Sequence, residues 1–306
     1  MTTDQGSQHA QTSDESSSIY DLGYRRYEGA RLGRRQAVLA LYRESLRAAF
    51  GLGRSTSAKI GPAILILFAL VPALIQLAIA ALVPVGEIEL TSHHDYYGGV
   101  KFILALYVGI VAPDIVGRDQ RNRSLTLYFT RAITRYDYAL AKLAAMTTAV
   151  LVITLLPQLL LFIGNALAVD DFGGHAAENW DLIFPIFGTA LFGSWLLASI
   201  GTFIGAQTSQ RAFATVGILV AFLLPLTVAL VVVQEIDGGW TDLFVFISPL
   251  DLVDGVTYWM FRVDTQPMDS IVAMTDYALS WYAVAGAAFG LVCTGLLLRR
   301  YRKVQA

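Results

Sequence analysis

The sequence predicts an all-α polytopic membrane protein with six transmembrane helices, and three observations predict it. The first is composition: 55% of the residues are hydrophobic and 15% charged, where a soluble domain carries about 25% charged residues. The second is a set of six apolar runs, each long enough to cross a hydrocarbon core of about 30 Å at 1.5 Å per residue. The third is that Lys and Arg gather in alternate loops, the pattern that orients membrane helices.

Residues 1–18 are mostly Ser, Thr, Gln, Asp and Glu with almost nothing to bury, and are expected to form a disordered cytoplasmic tail. They lack the basic leader and apolar core of a cleavable signal peptide, so the first membrane helix is expected to direct targeting. Residues 19–59 form the next unit. Its first part interleaves tyrosines with arginines, and three glycines argue against a regular helix there. A helical pattern follows, with Val38, Leu41, Tyr42, Leu46 and Phe50 on one face and Arg43, Glu44 and Arg47 off it. An apolar face backed by basic residues suits an amphipathic helix lying in the cytoplasmic membrane interface. Beside a span, such an Arg/Tyr cluster reads as a contact for anionic lipid or a partner rather than for nucleic acid.

The remainder, residues 60–298, holds the expected spans at about 60–83, 97–116, 135–169, 182–205, 212–233 and 277–298, with a basic tail at 299–306. The third is too long to lie wholly in hydrocarbon. Its first turns are expected to stand at headgroup level, with Lys142 snorkelling outward. Thr134 followed by Asp137 has the spacing of a capping box that would start it. Pro72, Pro157 and Pro225 lie inside spans one, three and five, where each removes a backbone donor and shapes its helix.

Residues 1–59 hold nine Lys or Arg, the 117–139 loop five, the 206–211 loop one and the tail after 298 four. The alternate loops hold Arg262 alone and fifteen Asp or Glu. Both termini and the 117–139 loop are therefore expected on the cytoplasmic side of a plasma (inner) membrane. Segment 234–276 on the other side contains two apolar stretches too short to span. They are expected to form re-entrant or interfacial helices, with Trp240, Tyr258 and Trp259 at headgroup level.

Motifs for chemistry are sparse. There is no phosphate loop, since Gly51-Leu-Gly-Arg-Ser-Thr lacks both the spacing and the lysine. No metal-ligand spacing occurs, and His93 and His94 are expected in a solvated loop without a metal. No catalytic or cofactor-binding residue is assigned. Ser194 in span four lacks a histidine to activate it, and the run Gly188, Gly193, Ser194, Ala198, Gly201, Gly205 reads instead as a helix-packing face. The spans carry almost no ionisable groups away from their ends, so an internal ion pathway is not expected. Gln76, Gln158 and Asn165 are the main polar residues at depth, and Gln76 is the one expected to border any pathway through the bundle.

The loop between spans two and three is a basic island. Arg118, Arg121, Arg123, Arg131 and Arg135 sit among Leu125, Leu127, Tyr128 and Phe129. If helical, Leu125, Tyr128, Phe129 and Ala132 share a face. The run Asp119-Gln-Arg-Asn-Arg-Ser-Leu-Thr-Leu-Tyr-Phe-Thr-Arg-Ala-Ile-Thr-Arg135, then Lys142, resembles the coupling-helix segment of the ABC-2 type permeases of ATP-binding-cassette transporters. Leu125, Leu127, Arg135 and Lys142 match that family's pattern, while Asp119 stands for its Glu, Arg123 for its Gly, Ser124 for its Thr and Ala132 for its Pro.

With the six spans and the helical segment before span six, the resemblance extends over residues 36–303. It implies a cytoplasmic coupling helix between spans two and three, with Asp119, Arg121, Arg123, Leu125, Tyr128, Phe129, Arg131 and Arg135 meeting an ATPase. It implies a permease homodimer or related heterodimer carrying a cytoplasmic ATPase dimer. ATP and Mg would be bound by that partner and none by this chain, which would itself be no enzyme. It further implies export along a path between protomers. Two other readings are open: an intramembrane enzyme acting on lipid or peptide, and a non-transporting scaffold or maturation subunit.

Overall fold

The computed structural model describes residues 29, 33–53, 56–82, 92–129, 133–167, 174, 179–236, 238, 240–263, 266–267 and 270–303. The expected tail, the Arg/Tyr-rich segment apart from Gly29 and Gly33 to Arg35, most of loop 84–96, Arg131, Ala132 and His175 lie outside them. Everything described is helix or connection, and no strand occurs among the described residues. The helices are α1 (Arg34–Ala49), α2 (Thr56–Leu82), α3 (His93–Ala112), α4 (Arg118–Arg121), α5 (Leu125–Phe129), α6 (Arg135–Leu167), α7 (Ile183–Gly205), α8 (Arg211–Glu235), α9 (Pro249–Phe261) and α10 (Leu279–Arg302). Six helical stretches, built on α2, α3, α6, α7, α8 and α10, are long and apolar enough to cross a membrane.

Burial sorts these six. In the stretches carried by α3 and α7, 67% and 61% of the most apolar window is covered by protein, against 22% for α2 and 17% for α8. α3 and α7 are thus the interior pair. They approach closely because α7 carries its small residues on the shared face. A Cβ on Gly201 would run into Val108 Cγ1, and one on Gly205 would sit 3.4 Å from the Ala112 carbonyl oxygen. On the same helix, Gly193 faces Val253 and Gly188 faces Met260. The small-residue run is a packing face, as its spacing predicts.

The second span is longer than its apolar run. Pro113 has no N–H to give the preceding turn, and the helix opens into a π turn over Pro113–Gly117 before resuming as α4 to Arg121. The capping box at the start of α6 is present. Thr134 N donates to Asp137 Oδ2 at 3.0 Å and Asp137 N to Thr134 Oγ1 at 3.2 Å.

The predicted apolar face of α1 is turned onto the bundle. Leu41, Ser45 and Ala49 are buried, and Val38, Tyr42, Leu46 and Phe50 are half-buried against the core. α1 rests mainly on α6. The Tyr42 hydroxyl donates to Thr148 Oγ1 at 3.0 Å, and the Tyr107 hydroxyl to the Ala49 carbonyl at 3.1 Å. Tyr42→Phe is expected to lower stability by about 0.5–1.5 kcal/mol, measured as a drop in thermal midpoint of the purified protein in nanodiscs. An unchanged midpoint would show that the hydroxyl contributes nothing.

At the other end, a 3₁₀ segment (Thr241–Ile247) meets α9 at 95°. Ser248 caps α9, accepting from Asp251 N at 3.4 Å, and Pro249 occupies its first turn. α9 is wedged among α3, α7, α8 and α10, and every residue from Pro249 to Tyr258 is buried. Trp240 and Trp259 are exposed, whereas Tyr258 is inside rather than at a surface. His93 also differs from expectation. It is the first residue of α3 and buried, its Nδ1 2.6 Å from Gln158 Oε1, while Gln158 Nε2 donates to its carbonyl at 2.8 Å. The pairing satisfies two buried polar groups at once, which a free loop histidine would not need.

Candidate functional site

The site begins with Asp119. It lies on α4, the prolongation of α3, and is buried. Two side chains one turn apart on α6 converge on its Oδ2: Tyr138 donates from its hydroxyl at 2.8 Å, and Lys142 Nζ sits at 2.8 Å. Lys142 is 6% exposed, so it does not snorkel; it neutralises a carboxylate inside the protein. A buried charge pair of this kind is kept by geometry, since either ion alone would be strongly penalised.

Around this pair the loop is tied down on several sides. Gln120 Nε2 donates to the Ala206 carbonyl at 3.0 Å, and Arg300 Nε reaches the same oxygen at 3.4 Å. Asp114 sits between two cations, 3.1 Å from Arg211 and 3.7 Å from Arg121, and Arg121 also donates to the Ser209 carbonyl at 3.3 Å. The rings of Tyr138 and Tyr301 meet at 5.0 Å. On the α1 side Arg34 makes a two-pronged pair with Asp137 at 2.7 and 2.9 Å, and the carboxylate raises the guanidinium pKa. One end of the molecule is therefore closed by contacts joining α1, α4, α6, the α7–α8 connection and the end of α10.

The tip of the loop is built differently. Arg123 takes a left-handed φ of +51°, which turns the chain between α4 and α5. Ser124 Oγ closes that turn by donating to the Asp119 carbonyl at 3.2 Å. α5 then lays Leu125, Tyr128 and Phe129 against the core, with both rings on Tyr138 at 5.6 and 5.8 Å. Arg135 lies over the Phe129 ring at 5.7 Å. Outward point Arg118, Arg121, Asn122, Arg123, Thr126 and Leu127, the last 66% exposed.

The expected site residues thus divide. Arg121, Arg123, Leu125, Tyr128, Phe129 and Arg135 come together with Asp119, but Asp119 is internal and offers no surface for docking. Gln76 is elsewhere, 6% exposed in α2, its Nε2 3.5 Å from Asn165 Oδ1 on α6. Reading the sequence missed Tyr138, Gln120, Arg211 and Tyr301. Tyr138 and Lys142 are four residues apart and so share a helical face, a signal that was legible. The others join through tertiary contacts alone.

Chemically, this end holds shape and presents positive charge. No group of three or more His, Cys, Asp or Glu placed for a metal ion occurs among the described residues. In the bundle, Ser194 Oγ lies 3.4 Å from Thr154 Oγ1. Compared with known proteins, the chain matches no family model and no curated sequence.

Proposed function

We propose that this chain is the membrane-spanning permease subunit of an ATP-binding-cassette transporter, acting as an exporter driven by ATP hydrolysed in a separate cytoplasmic ATPase. One observation carries the reading: a basic, exposed tip mounted on a rigid base at one end of a bundle with six potential spans. A loop that only connects two helices needs no buried Asp119–Lys142 pair beneath it. A lever that must pass force from a partner into α3 and α6 does, because a soft base would absorb the displacement. In this reading both termini and the 117–139 loop face the cytoplasm of a plasma (inner) membrane, α1 lies along that interface, and the permease works as a homodimer or related heterodimer. ATP and Mg belong to the partner.

The test uses Arg118 and Arg123, both exposed. With the full chain co-expressed beside an ATPase encoded in a flanking reading frame, Arg118→Glu/Arg123→Glu is expected to abolish co-purification and transport. Membrane insertion and the thermal midpoint should stay unchanged. Undiminished co-purification of the ATPase would sink the coupling role. Co-purification lost with no ATP-dependent movement of any cargo in the wild type would favour a scaffold.

A further inference from the structure

At the opposite end, a cavity of about 470 Å³ opens between α3, α8, α9 and the residues Pro267, Ser270 and Ile271. Its size is that of a small-molecule site. Phe102, Leu226, Leu230 and Ile271 supply apolar walls, and Lys101, Asp251 and Asp254 supply charge. Lys101 and Asp254 neutralise each other, Nζ to Oδ2 at 2.5 Å. Asp251 is 1% exposed, and its Oδ2 has no hydrogen-bond partner among the described residues. A buried carboxylate oxygen without a donor is costly and marks a position that a ligand completes.

We infer that this cavity binds an organic monocation, an ammonium or guanidinium carried on an apolar body. The charge count sets the valence. Lys101 cancels Asp254, leaving Asp251, whose carboxyl pKa burial pushes up to about 7, to be held in its charged form by one positive charge. Asp95 stands at the rim with its side chain 45% exposed, where water screens its charge. A divalent metal is disfavoured by the Lys101 ammonium and by the lack of any cluster of three or more metal-type ligands among the described residues. The apolar body is set by the wall residues, and Tyr258 and Phe102 add aromatic groups suited to a cation. As a cargo site this rests on the permease reading; as a binding site it does not, and the experiment therefore uses the chain without any ATPase.

The probe is 4-phenylbutylamine, protonated at neutral pH, against neutral 4-phenylbutanol, titrated calorimetrically into the purified full-length protein in nanodiscs with empty nanodiscs subtracted. The amine is expected to bind saturably and the alcohol at least about tenfold more weakly, a difference of about 1.4 kcal/mol. Asp251→Asn keeps the shape and removes the charge, and is expected to cost the amine at least about tenfold in affinity. The rim variant Asp95→Asn should change it less than about twofold, reflecting weak coupling across water. Equal affinity for amine and alcohol, or full amine affinity in a folded Asp251→Asn protein, would overturn the inference. So would Ca²⁺ binding in place of the amine that is lost in the same variant. If Asp251→Asn does not fold, Leu226→Trp, which fills the cavity from its apolar wall, must abolish amine binding; retained binding overturns the assignment.

Discussion

Asp119→Ala is expected to destabilise the protein by about 3–5 kcal/mol, the range found when one partner of a buried ion pair is removed. The reason is the group left behind. Lys142 is 6% exposed, and Asp119 is the only carboxylate within ion-pair distance of its Nζ among the described residues. Without it an ammonium remains in a pocket walled by Tyr138, whose ring lies 5.4 Å from Nζ. Tyr138 also loses the acceptor of its hydroxyl. Lys142→Ala should cost a similar amount from the other side. The double variant Asp119→Leu/Lys142→Met should recover most of the loss, because it removes both charges and keeps the volume. Thermal unfolding of wild type, Asp119→Leu, Lys142→Met and the double variant in nanodiscs forms a double-mutant cycle. Additive losses would mean that the two charges do not depend on each other. The cycle also separates stability from coupling: under the proposed function, the double variant folds but transmits less force than wild type.

Gly255→Ala is expected to be among the most damaging single-methyl additions in the bundle. A Cβ there would overlap the ring of Tyr282. The ring cannot easily retreat, because Tyr282 is fully buried, its hydroxyl lies 2.6 Å from Thr275 Oγ1, and Phe246 packs on it at 5.0 Å. Overpacking of this kind costs about 1–3 kcal/mol. The comparison is Gly295→Ala on α10, where an added Cβ meets nothing within 4 Å. Alanine is the better helix former by about 0.8–1 kcal/mol, so that variant should be neutral or more stable. If Gly255→Ala proves as benign as Gly295→Ala, α9 is not held against α10 as tightly as the geometry requires. Because α9 also carries Asp251, a loosened α9 should disturb the acidic cavity before it disturbs the basic end.

Much of the architecture was legible because it is local. Six apolar runs identify themselves by length, since every backbone group in hydrocarbon must bond within its own helix. The Thr134–Asp137 box was readable because its partners are three residues apart. The face of α1 was readable from helical spacing, as was the small-residue face of α7. What those faces touch was not. An apolar stripe reports only that something covers it, and for α1 the cover is α6 and Tyr107 rather than a membrane surface alone.

The candidate site was legible as a location and illegible as a mechanism. Five arginines among apolar residues single out 117–139, but Asp119 and Lys142 are 23 residues apart and no periodicity links them. Reading each as a surface group was the natural expectation for a charge near the end of a span, and both proved buried. His93 followed the same course: a histidine pair before an apolar run looks solvated until Gln158 is folded onto it.

By itself, then, the sequence determined that this chain is helical, that it has six segments able to cross a membrane, and where its positive charge gathers. These follow from hydrophobicity, helix length and charge, each a property of neighbouring residues. Only the tertiary structure decided which charges are paired, that α9 is an interior helix, and that Asp251 stands beside a cavity with an oxygen unsatisfied. Those outcomes depend on residues far apart in the chain meeting in a low-dielectric interior, where a partner placed within 3 Å changes the meaning of a charge altogether.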